Sequence, residues 1–485
     1  MISDASAGTA TGAARCDLLI VGAGPAGMAA AIAARLYGLS VIVAEEGMAP
    51  GGQVYRQASD SPLGDATLLG HDYAHGRPLI ERFKKSGASL LTHTLVWQIG
   101  ADGEAMLTCR GGSPGTLRVQ ATAILLATGA QERPWPVPGW TLPGVMNAGA
   151  AQTLLKSAAL VPGADTVIAG SGPLLWLYAS QLISAGRSFR AIVDTTPASA
   201  YWRAMPQLPR ALRATSYLAK GLRMMLDVRR AGVSIYRSAQ TVNVLGEQRA
   251  EGLRFRVGSK THEVAAGLVL LHQGVIPGTN LSRSVGCRHR WSEVQACWHA
   301  EVDAFGRTSV PLIWIAGDGA AIGGAQLAEC DGELAALDIA RVQERIDIAA
   351  FERAIKPIRA RRAQHAAIRP LLDVLYTPPR AQRLPDDDVI VCRCEEVTAG
   401  DIRNIAGLGC TGPNQMKAFS RCGMGPCQGR WCGSTVVELI ADAQGRTPGD
   451  VGYFRIRPPV KPVTIAEIAA AVPADAVLHR GEFPS

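Results

Sequence analysis

A glycine-rich turn at residues 22–27, GAGPAG, constrains the fold of this 485-residue chain more than any other feature. A strand is predicted before it over Asp17–Val21, an alanine-rich helix after it over Met28–Leu36, and a second strand over Ser40–Ala44. In such a βαβ unit the glycines make a tight turn, admit a pyrophosphate and let the helix pack on the strand. The phosphates lie at the helix N-terminus, where free N–H groups favour negative charge. The turn therefore predicts a dinucleotide site.

An acidic residue at the end of the second strand is expected to bind a ribose hydroxyl of this dinucleotide. Two candidates are adjacent, Glu45, which lies 18 residues after Gly27, and Glu46. The register counted from Gly38, where the helix is predicted to end, favours Glu45.

Two further predicted strands end in short motifs. Residues 123–130 read as a strand that ends in Ala-Thr-Gly, and residues 312–319 as a strand that ends in Gly-Asp. With the first turn they resemble the two-dinucleotide-binding-domain flavoproteins, the superfamily of thioredoxin and glutathione reductase. The resemblance implies FAD, with Asp318 on the ribityl chain or pyrophosphate and a helix from residues 324–326 aimed at the flavin pyrimidine. The predicted cofactor-binding residues are Gly22, Gly24, Pro25, Ala26, Gly27, Glu45, Glu46, Gly52, Gln53, Val96, Thr128, Gly129, Gly317, Asp318 and Gln326.

A second glycine turn, GSGPLL at residues 170–175, follows a strand predicted over Thr166–Ala169 and precedes a strand that ends at Asp194. In the superfamily this inserted domain binds NAD(P)H. Here Leu175 stands at the third glycine position, and the loop at residues 195–197 offers no clamp for a 2′-phosphate. NAD(P), another nucleotide and a purely structural role therefore stay open for this domain.

Six of the eleven cysteines lie between residues 392 and 432, and four of them form a CxC and a Cx4C pair. Four thiolates can hold an iron–sulfur cluster or zinc. Zinc ribbons prefer CxxC pairs, so the spacing favours iron and sulfur. A disulfide reductase is disfavoured because residues 166–280 and the stretch after Glu45 contain no dithiol motif. The predicted metal ligands are Cys392, Cys394, Cys427 and Cys432, with Cys410 and Cys422 left over.

The segment around these cysteines resembles the bacterioferritin-associated-ferredoxin-like (BFD-like) 2Fe-2S domain, in the variant with GMGxCQGxxC, here residues 423–432. In such domains the position of Cys422 is usually a small apolar residue. The resemblance therefore implies that Cys422 is a buried bystander and not a ligand. Helices are predicted over residues 398–408, 414–420 and 434–443.

GGQVYR at residues 51–56, AQERP at residues 130–134 and the tail motif Arg457-Pro458-Pro459 extend the resemblance over nearly the whole chain. The chain resembles the large, or alpha, subunit of heteromeric flavin dehydrogenases that oxidise secondary amines. These include octopine and nopaline oxidase, D-hydroxyproline dehydrogenase, hydrogen cyanide synthase and sarcosine oxidase.

This resemblance implies that a partner beta subunit with its own FAD oxidises the amine. Electrons then pass, through an FMN between the subunits, to the cluster and FAD of this chain and on to an acceptor. No catalytic acid or base is expected here, and a small ferredoxin-like gamma subunit is a further expected partner. An opine is the first expected substrate and a hydroxyproline-type imino acid the second. The alternatives are a self-contained NAD(P)H-dependent reductase of the ferredoxin type and a scaffold with a redox-silent cluster.

Composition excludes other classes. The net charge of +8 comes with only 5% aromatic residues and no nucleic-acid motif, so no nucleic-acid partner is expected. The N-terminus lacks the features of an export signal, and the cysteine pattern is not that of a disulfide framework, which predicts a cytoplasmic protein. The uncharged residues 166–186 are interrupted by the second glycine turn and predict a strand and helix, not a membrane span.

The predicted fold class is α/β, a Rossmann-like FAD/NAD(P)-binding flavoprotein with two dinucleotide-binding domains and a C-terminal BFD-like 2Fe-2S domain. The predicted division is a disordered tail (1–14), an FAD-binding domain (15–155 and 290–345), an inserted NAD(P)-binding-like domain (156–289), a helical connector and linker (346–385), the BFD-like domain (386–445) and a C-terminal tail (446–485).

Overall fold

The structure is a computed structural model that describes residues 13–63, 66–111 and 115–471. Its first part contains the predicted βαβ unit. Residues 1–12 of the predicted disordered tail lie outside the described residues. The first strand begins at Ala14 instead of Asp17. The elements are β1 (Ala14–Val21), α1 (Pro25–Leu36), β2 (Val41–Ala44), α2 (His71–Ala74), α3 (Gly76–Lys84), β3 (Ser89–Leu91), β4 (Thr94–Ile99), β5 (Glu104–Cys109), β6 (Gly115–Leu126) and β7 (Ala130–Glu132).

All of these strands except β7 form one sheet in the order β3-β2-β1-β6-β5-β4. The strands β3, β2, β1 and the second half of β6 are parallel, whereas β4, β5 and the first half of β6 form an antiparallel meander. Parallel strands covered on both faces are apolar along their whole length, and residues 18–20 of β1 are fully buried. The carboxyl ends of β1, β2 and β6 consequently lie at one edge, where the first glycine turn lies.

The inserted domain has a second parallel sheet in the order β11-β10-β9-β15-β8 and an antiparallel sheet of β12, β13 and β14. Its elements are β8 (Val145–Asn147), α4 (Ala148–Ala158), β9 (Thr166–Ser171), α5 (Pro173–Ser184), β10 (Ala191–Asp194), α6 (Ala198–Ala204), α7 (Leu208–Ala211), α8 (Thr215–Arg230), β11 (Ser234–Arg237), β12 (Gln240–Leu245), β13 (Gly252–Val257), β14 (Lys260–Ala265) and β15 (Leu268–Gln273). Strand β8, which precedes the predicted start of this domain at residue 156, pairs with β15 in this sheet. A strand of three residues is too short to show an apolar pattern in the sequence.

The chain then returns to the first domain. The elements are β16 (Val275–Pro277), α9 (Asn280–Ser284), β17 (His289–Ser292), β18 (Cys297–Ala300), β19 (Ile313–Ile315) and α10 (Ala325–Val342), followed by connector helices α11 (Ile348–Ala366), α12 (Arg369–Tyr376) and α13 (Arg380–Arg383). Strand β19 pairs with the end of β6, and β16 pairs with β7. Helix α10 packs against α1 so closely that a Cβ on Gly332 would lie 2.1 Å from Ala26 O.

The cysteine module and the tail complete the described chain. Their elements are β20 (Ile390–Cys392), β21 (Val397–Thr398), α14 (Ala399–Gly407), α15 (Pro413–Ser420), α16 (Gly433–Gln444), α17 (Pro448–Val451) and α18 (Ile465–Ala470). A capping box of Thr398 and Asp401 starts α14, as the sequence predicts. Buried residues of this module and of the first sheet belong to one hydrophobic cluster. The cysteine module is therefore packed onto the first domain.

The predicted tail is anchored to the first sheet. Val460 N donates to Trp97 O at 2.9 Å, and Arg110 Nε donates to Glu467 Oε1 at 3.0 Å. Residues 472–485 of this predicted tail lie outside the described residues. Among the helices within the described ranges, none is long and apolar enough to cross a membrane.

Candidate functional site: a dinucleotide crevice beside a group of thiols

The first glycine turn is held between β1 and β2 by backbone and carboxylate contacts. Gly22 N donates to Ala44 O at 2.8 Å. The carboxylate of Glu45 accepts hydrogen bonds from Ala23 N and Gly47 N, both at 2.7 Å. The turn and the acid that the sequence places 18 residues beyond it are therefore in direct contact.

The two acidic candidates have different surroundings. Glu45 is half-buried against the turn, whereas Glu46 is exposed and forms an ion pair with Lys461 of the tail. The predicted Val96 lies buried on β4, and this strand begins beside the acid, since Thr94 N donates to Glu45 O at 2.9 Å. Of the two acids, Glu45 and not Glu46 is therefore the one in contact with the turn.

Glycine is required at two positions of this site. A Cβ on Gly27 would lie 1.9 Å from Gly22 O, closer than any two such atoms can approach, so α1 can pack on the turn only with glycine there. A Cβ on Gly52, whose φ is +58°, would lie 2.8 Å from Gly24 Cα. The loop that carries Gly52 and Gln53 therefore contacts the turn, as expected for residues that share one cofactor.

The other predicted motifs complete the crevice. Gly129 O accepts from Gly278 N at 2.9 Å, and Thr128 Oγ1 donates to Gly278 O at 3.1 Å. The Asp318 carboxylate accepts from Gly323 N at 2.7 Å and Gly324 N at 2.9 Å, and so holds the start of α10. Gly317 precedes this carboxylate with φ +69°. Gln326, in the first turn of α10, accepts from Tyr217 Oη of α8 at 2.5 Å.

These residues fit FAD. Helix α1 starts directly after Gly24 and helix α10 directly after Gly324, and neither start has a side-chain cap. The first N–H groups of a helix need an acceptor, and an uncapped start is where an anionic cofactor finds donors. Thr128 and Gln53 are exposed, so these two predicted cofactor contacts are accessible to solvent.

A buried lysine beside this crevice escaped the sequence prediction. Lys156 of α4 is 4% exposed and its Nζ donates to Gln53 O at 2.9 Å, Val54 O at 3.1 Å and Gln152 Oε1 at 3.0 Å. Burial is the main reason why the pKa of Lys156 falls to about 7, and the charge of Arg56 adds to it. The only signal in the sequence was the pair of polar residues four apart in an alanine-rich helix.

Three cysteines of the C-terminal module converge, and they include Cys422 in addition to Cys392 and Cys432 of the predicted ligand set. The sulfur atoms of Cys392, Cys422 and Cys432 all lie within 4.8 Å of one another, and all three residues are buried. Cys394 and Cys427 share a thiol hydrogen bond beside them. Cys422 is buried, as the resemblance implied, but it lies within the group of thiols and not apart from it.

The electrostatics of this group follow from the hydrogen bonds between the thiols. Those from Cys422 and then Cys432 lower the pKa of Cys392 to about 2. Glycine gives the group its compactness, because a Cβ on Gly425 would lie 2.2 Å from Cys394 Cβ. Cys410 is buried in the same module but bonds to Gly412 O at 3.4 Å instead. The five grouped cysteines, Cys392, Cys394, Cys422, Cys427 and Cys432, are enough for the four thiolate ligands of an iron–sulfur cluster or of zinc.

This group of cysteine thiols lies next to the crevice. The loop between Cys427 and Cys432 contacts the first domain where Gln131 Nε2 donates to Arg430 O at 2.6 Å and Asn280 Nδ2 donates to Gln428 O at 3.3 Å. Gln131 is two residues beyond Gly129 of the crevice. The two candidate sites are therefore joined by one short path of backbone and a hydrogen bond.

Fold and sites together define an oxidoreductase subunit with two dinucleotide-binding folds and a cysteine module. The pyridine nucleotide-disulphide oxidoreductase family matches residues 16–342, and the sarcosine oxidase A3 domain matches residues 388–472. L-proline dehydrogenase from P. horikoshii shares the fold, with a TM-score of 0.67 and 17% identity, covering 94% of this chain and 80% of that one.

Sequence relatives narrow the class. The A subunit of opine oxidase from Rhizobium meliloti is 43% identical over 461 residues, covering 94% of this chain and 99% of that protein. The HcnB subunit of hydrogen cyanide synthase from Pseudomonas aeruginosa is 33% identical, covering 92% and 96%. The alpha subunit of sarcosine oxidase from Rhizobium meliloti is 26% identical over 94% of this chain but only 43% of its own length. The chain belongs to this alpha-subunit family, which confirms the resemblance found in its motifs.

Proposed function

We propose that this chain is the electron-transfer subunit of a hetero-oligomeric dehydrogenase that oxidises a secondary amine. It would carry FAD in the crevice at the first glycine turn and a 2Fe-2S cluster on the grouped cysteine thiols of the C-terminal module. The observation that carries the proposal is the contact between Gln131 and Arg430, because it joins the two cofactor sites within one chain. Adjacent redox sites with no dithiol between them suit the passage of electrons and not the reduction of a disulfide.

Each part of the crevice has a role in holding FAD. The turn and the start of α1 would bind the pyrophosphate, and Glu45 a ribose hydroxyl. Asp318 would hold the ribityl chain or pyrophosphate, and the start of α10 would face the flavin pyrimidine. FAD supplies the change between two-electron and one-electron chemistry, and the protein supplies binding, orientation and electrostatics.

The proposed metal ligands are Cys392, Cys394, Cys427 and Cys432. Cys392 lies close to Cys432, and Cys394 bonds to Cys427, so the four form two close pairs. A 2Fe-2S cluster takes four thiolate ligands, which suits two such pairs. Cys422 is then a buried neighbour of the cluster.

Metal analysis of single serine variants tests this assignment. We expect Cys432→Ser to lose the iron and the visible absorbance of the cluster, while Cys422→Ser and the control Cys410→Ser keep both. Zinc in place of iron in the purified wild type would refute the cluster. Iron retained by Cys394→Ser but lost by Cys422→Ser would refute the ligand set.

The partner and the substrate class are proposed from the relatives. Those relatives are named as subunits, of opine oxidase, hydrogen cyanide synthase and sarcosine oxidase. We infer a catalytic beta subunit with its own FAD, an FMN between the subunits and a small ferredoxin-like gamma subunit. The substrate is an opine such as octopine or nopaline, with a hydroxyproline-type imino acid as the second candidate. All eleven cysteines are free, which suits the reducing cytoplasm.

Co-expression of the chain with its natural partner subunits tests the division of labour. The purified complex is screened with secondary amines and an artificial electron acceptor, and the chain alone is assayed in parallel. We expect turnover from the complex only, and lower turnover from an intact complex that carries Cys432→Ser. Amine oxidation by the chain alone at the rate of the complex would refute the proposal. Unchanged turnover of the Cys432→Ser complex would point to a redox-silent scaffold.

A further inference from the structure

The two glycine turns of this chain differ in their access to solvent. In the first turn Gly22 and Gly24 are partly exposed, and so is the acid Glu45. In the second turn Gly170, Ser171 and Gly172 are all buried. The corresponding acid, Asp194 at the end of β10, is 1% exposed. The glycines and the acid of the second turn are therefore covered by protein, while Pro173 and Leu174 at the start of α5 remain accessible.

Two side-chain hydrogen bonds cross the second turn. Ser171 Oγ bonds to Thr196 Oγ1 at 2.9 Å, and Gln273 Nε2 donates to Thr195 Oγ1 at 3.1 Å. The sheet order places β9 between β10 and β15, so the bond from Gln273 to Thr195 passes over the carboxyl end of β9. A dinucleotide in such a sheet lies in the crevice outside these strand ends. The bond therefore occupies the path of the cofactor.

The helical connector contributes further hydrogen bonds above the second turn. Gln382 of α13 donates from Nε2 to Thr195 O at 3.2 Å and accepts from Gln273 Nε2 at 3.1 Å. Helix α12 packs against α6, the helix that follows β10. Residues 369–383 thus lie over the edge of the inserted sheet where the adenosine half of a dinucleotide would bind.

The acid of the second copy is also engaged. Asp194 Oδ1 accepts a hydrogen bond from Thr196 N at 2.9 Å, two residues along its own chain. Glu45 of the first turn accepts the equivalent bond from Gly47 N, but it also accepts from Ala23 N of its turn. It is only half-buried, whereas Asp194 is fully buried. Helix α5 does keep an uncapped start at Gly172. The second copy therefore retains the shape of a phosphate turn, but its approach is filled by the protein itself.

The covering segment is anchored elsewhere, so it does not move aside freely. Arg383 of α13 pairs with Glu438 of α16, whose side chain is 6% exposed, and Arg380 pairs with Asp442 of the same helix. A nucleotide that displaced α13 would leave the buried carboxylate of Glu438 without its partner, which is costly. The closure of the second turn is thereby tied to the cysteine module.

We propose that the inserted domain is a self-occupied nucleotide fold, in which Gln273 and the connector residue Gln382 take the place of a dinucleotide. The chain therefore does not take electrons from NADH or NADPH. Its inserted domain serves as a platform for the connector that leads to the cysteine module. This inference stands on the geometry of residues 170–196, 273 and 369–383 and is independent of the cluster and of the amine substrate.

Titration calorimetry on the FAD-loaded chain tests the proposal, with NADH, NADPH and ADP as probes at concentrations up to about 1 mM, the upper end of usual enzyme affinities. ADP represents the half of the dinucleotide that a glycine turn holds. We expect no saturable binding at this turn and no bleaching of the flavin. Hydrogen exchange of residues 195–196 and 380–383, measured in the same samples, shows whether any bound nucleotide lies at the second turn. Nucleotide binding that alters hydrogen exchange in these residues overturns the proposal. Binding that leaves their exchange unchanged occurs at another site, and the second turn is then still covered.

A double variant tests the bridge itself. Gln273→Ala with Gln382→Ala removes the bonds to Thr195, and we expect hydrogen exchange in residues 195–196 and 380–383 to rise by about tenfold or more. The control is Gln120→Ala, since Gln120 is a glutamine of β6 whose Nε2 donates to Asp102 O at 2.8 Å, away from the inserted domain. Unchanged exchange in the double variant would show that the bridge does not hold the connector, and the proposal would fail.

Discussion

Lys156 offers the sharpest test of the packing around the proposed flavin crevice. Its amine is buried beneath the loop of Gln53 and Val54 and is bonded to both carbonyls. Burial and the nearby charges of Arg56 and Lys220 lower its pKa from 10.5 to about 7. We expect Lys156→Met, which keeps the length of the side chain and removes the titrating amine, to change how the stability of the chain depends on pH.

The sign follows from proton binding. Between pH 7 and pH 10.5 the unfolded chain binds a proton at this lysine that the folded chain has released, so wild-type stability rises with pH in that window. The full shift corresponds to about 5 kcal/mol at 1.36 kcal/mol per pH unit. Between pH 7 and pH 9 the wild type should gain about 2 kcal/mol relative to Lys156→Met.

Urea unfolding of the FAD-loaded chains at pH 7, 8 and 9 measures this difference from the midpoints and slopes. Taking the difference between the two proteins cancels every other group that titrates in this range. Lys84→Met, which removes an exposed lysine of α3, controls for the loss of one charge. A stability difference between wild type and Lys156→Met that does not change with pH would refute the reasoning. A constant difference is what an amine that is charged in both the folded and the unfolded chain would give.

Three further outcomes are expected. Glu45→Gln should weaken FAD binding by about tenfold because it loses a charge-assisted hydrogen-bond acceptor at the turn, whereas Glu46→Gln should leave FAD binding unchanged. Flavin fluorescence titration measures the affinity of both variants, and equal losses of affinity would contradict the assignment of Glu45. Gly27→Ala should cost about 3 kcal/mol or more and lower the FAD content of the purified chain, because its Cβ would lie 1.9 Å from a backbone oxygen. Arg383→Met should destabilise by about 3 kcal/mol, since it leaves a buried carboxylate of α16 unpaired, and the exposed Arg380→Met by under about 1 kcal/mol; similar urea midpoints for these two variants would contradict this.

Local patterns were enough to predict the frame of the molecule. The first turn carries its own strand before it and its own helix after it, so its conformation depends on residues close in sequence. The same holds for the capping box at Thr398 and for the CxC and Cx4C pairs. The predicted helices of the cysteine module match α14, α15 and α16 within two residues at each end.

Where the prediction differed from the structure, the cause was contact between distant parts of the chain. The inserted sheet begins at β8, since pairing with β15 and not an apolar pattern makes those three residues a strand. Cys422 joins Cys392 and Cys432 because the loop after α15 folds back onto the end of β20, which spacing alone does not reveal.

By itself the sequence determined the two glycine turns and the membership of the alpha-subunit family, while its set of thiol ligands stays a prediction. These depend on short motifs in which the side chain, or its absence, acts within a few residues. Only the tertiary structure placed Glu45 against the first turn and Glu46 against the tail, brought Lys156 under the loop of Gln53 and bonded Gln382 to Thr195. The physical reason is that burial and hydrogen bonding between residues more than a hundred positions apart depend on packing, which leaves no local periodicity in the sequence.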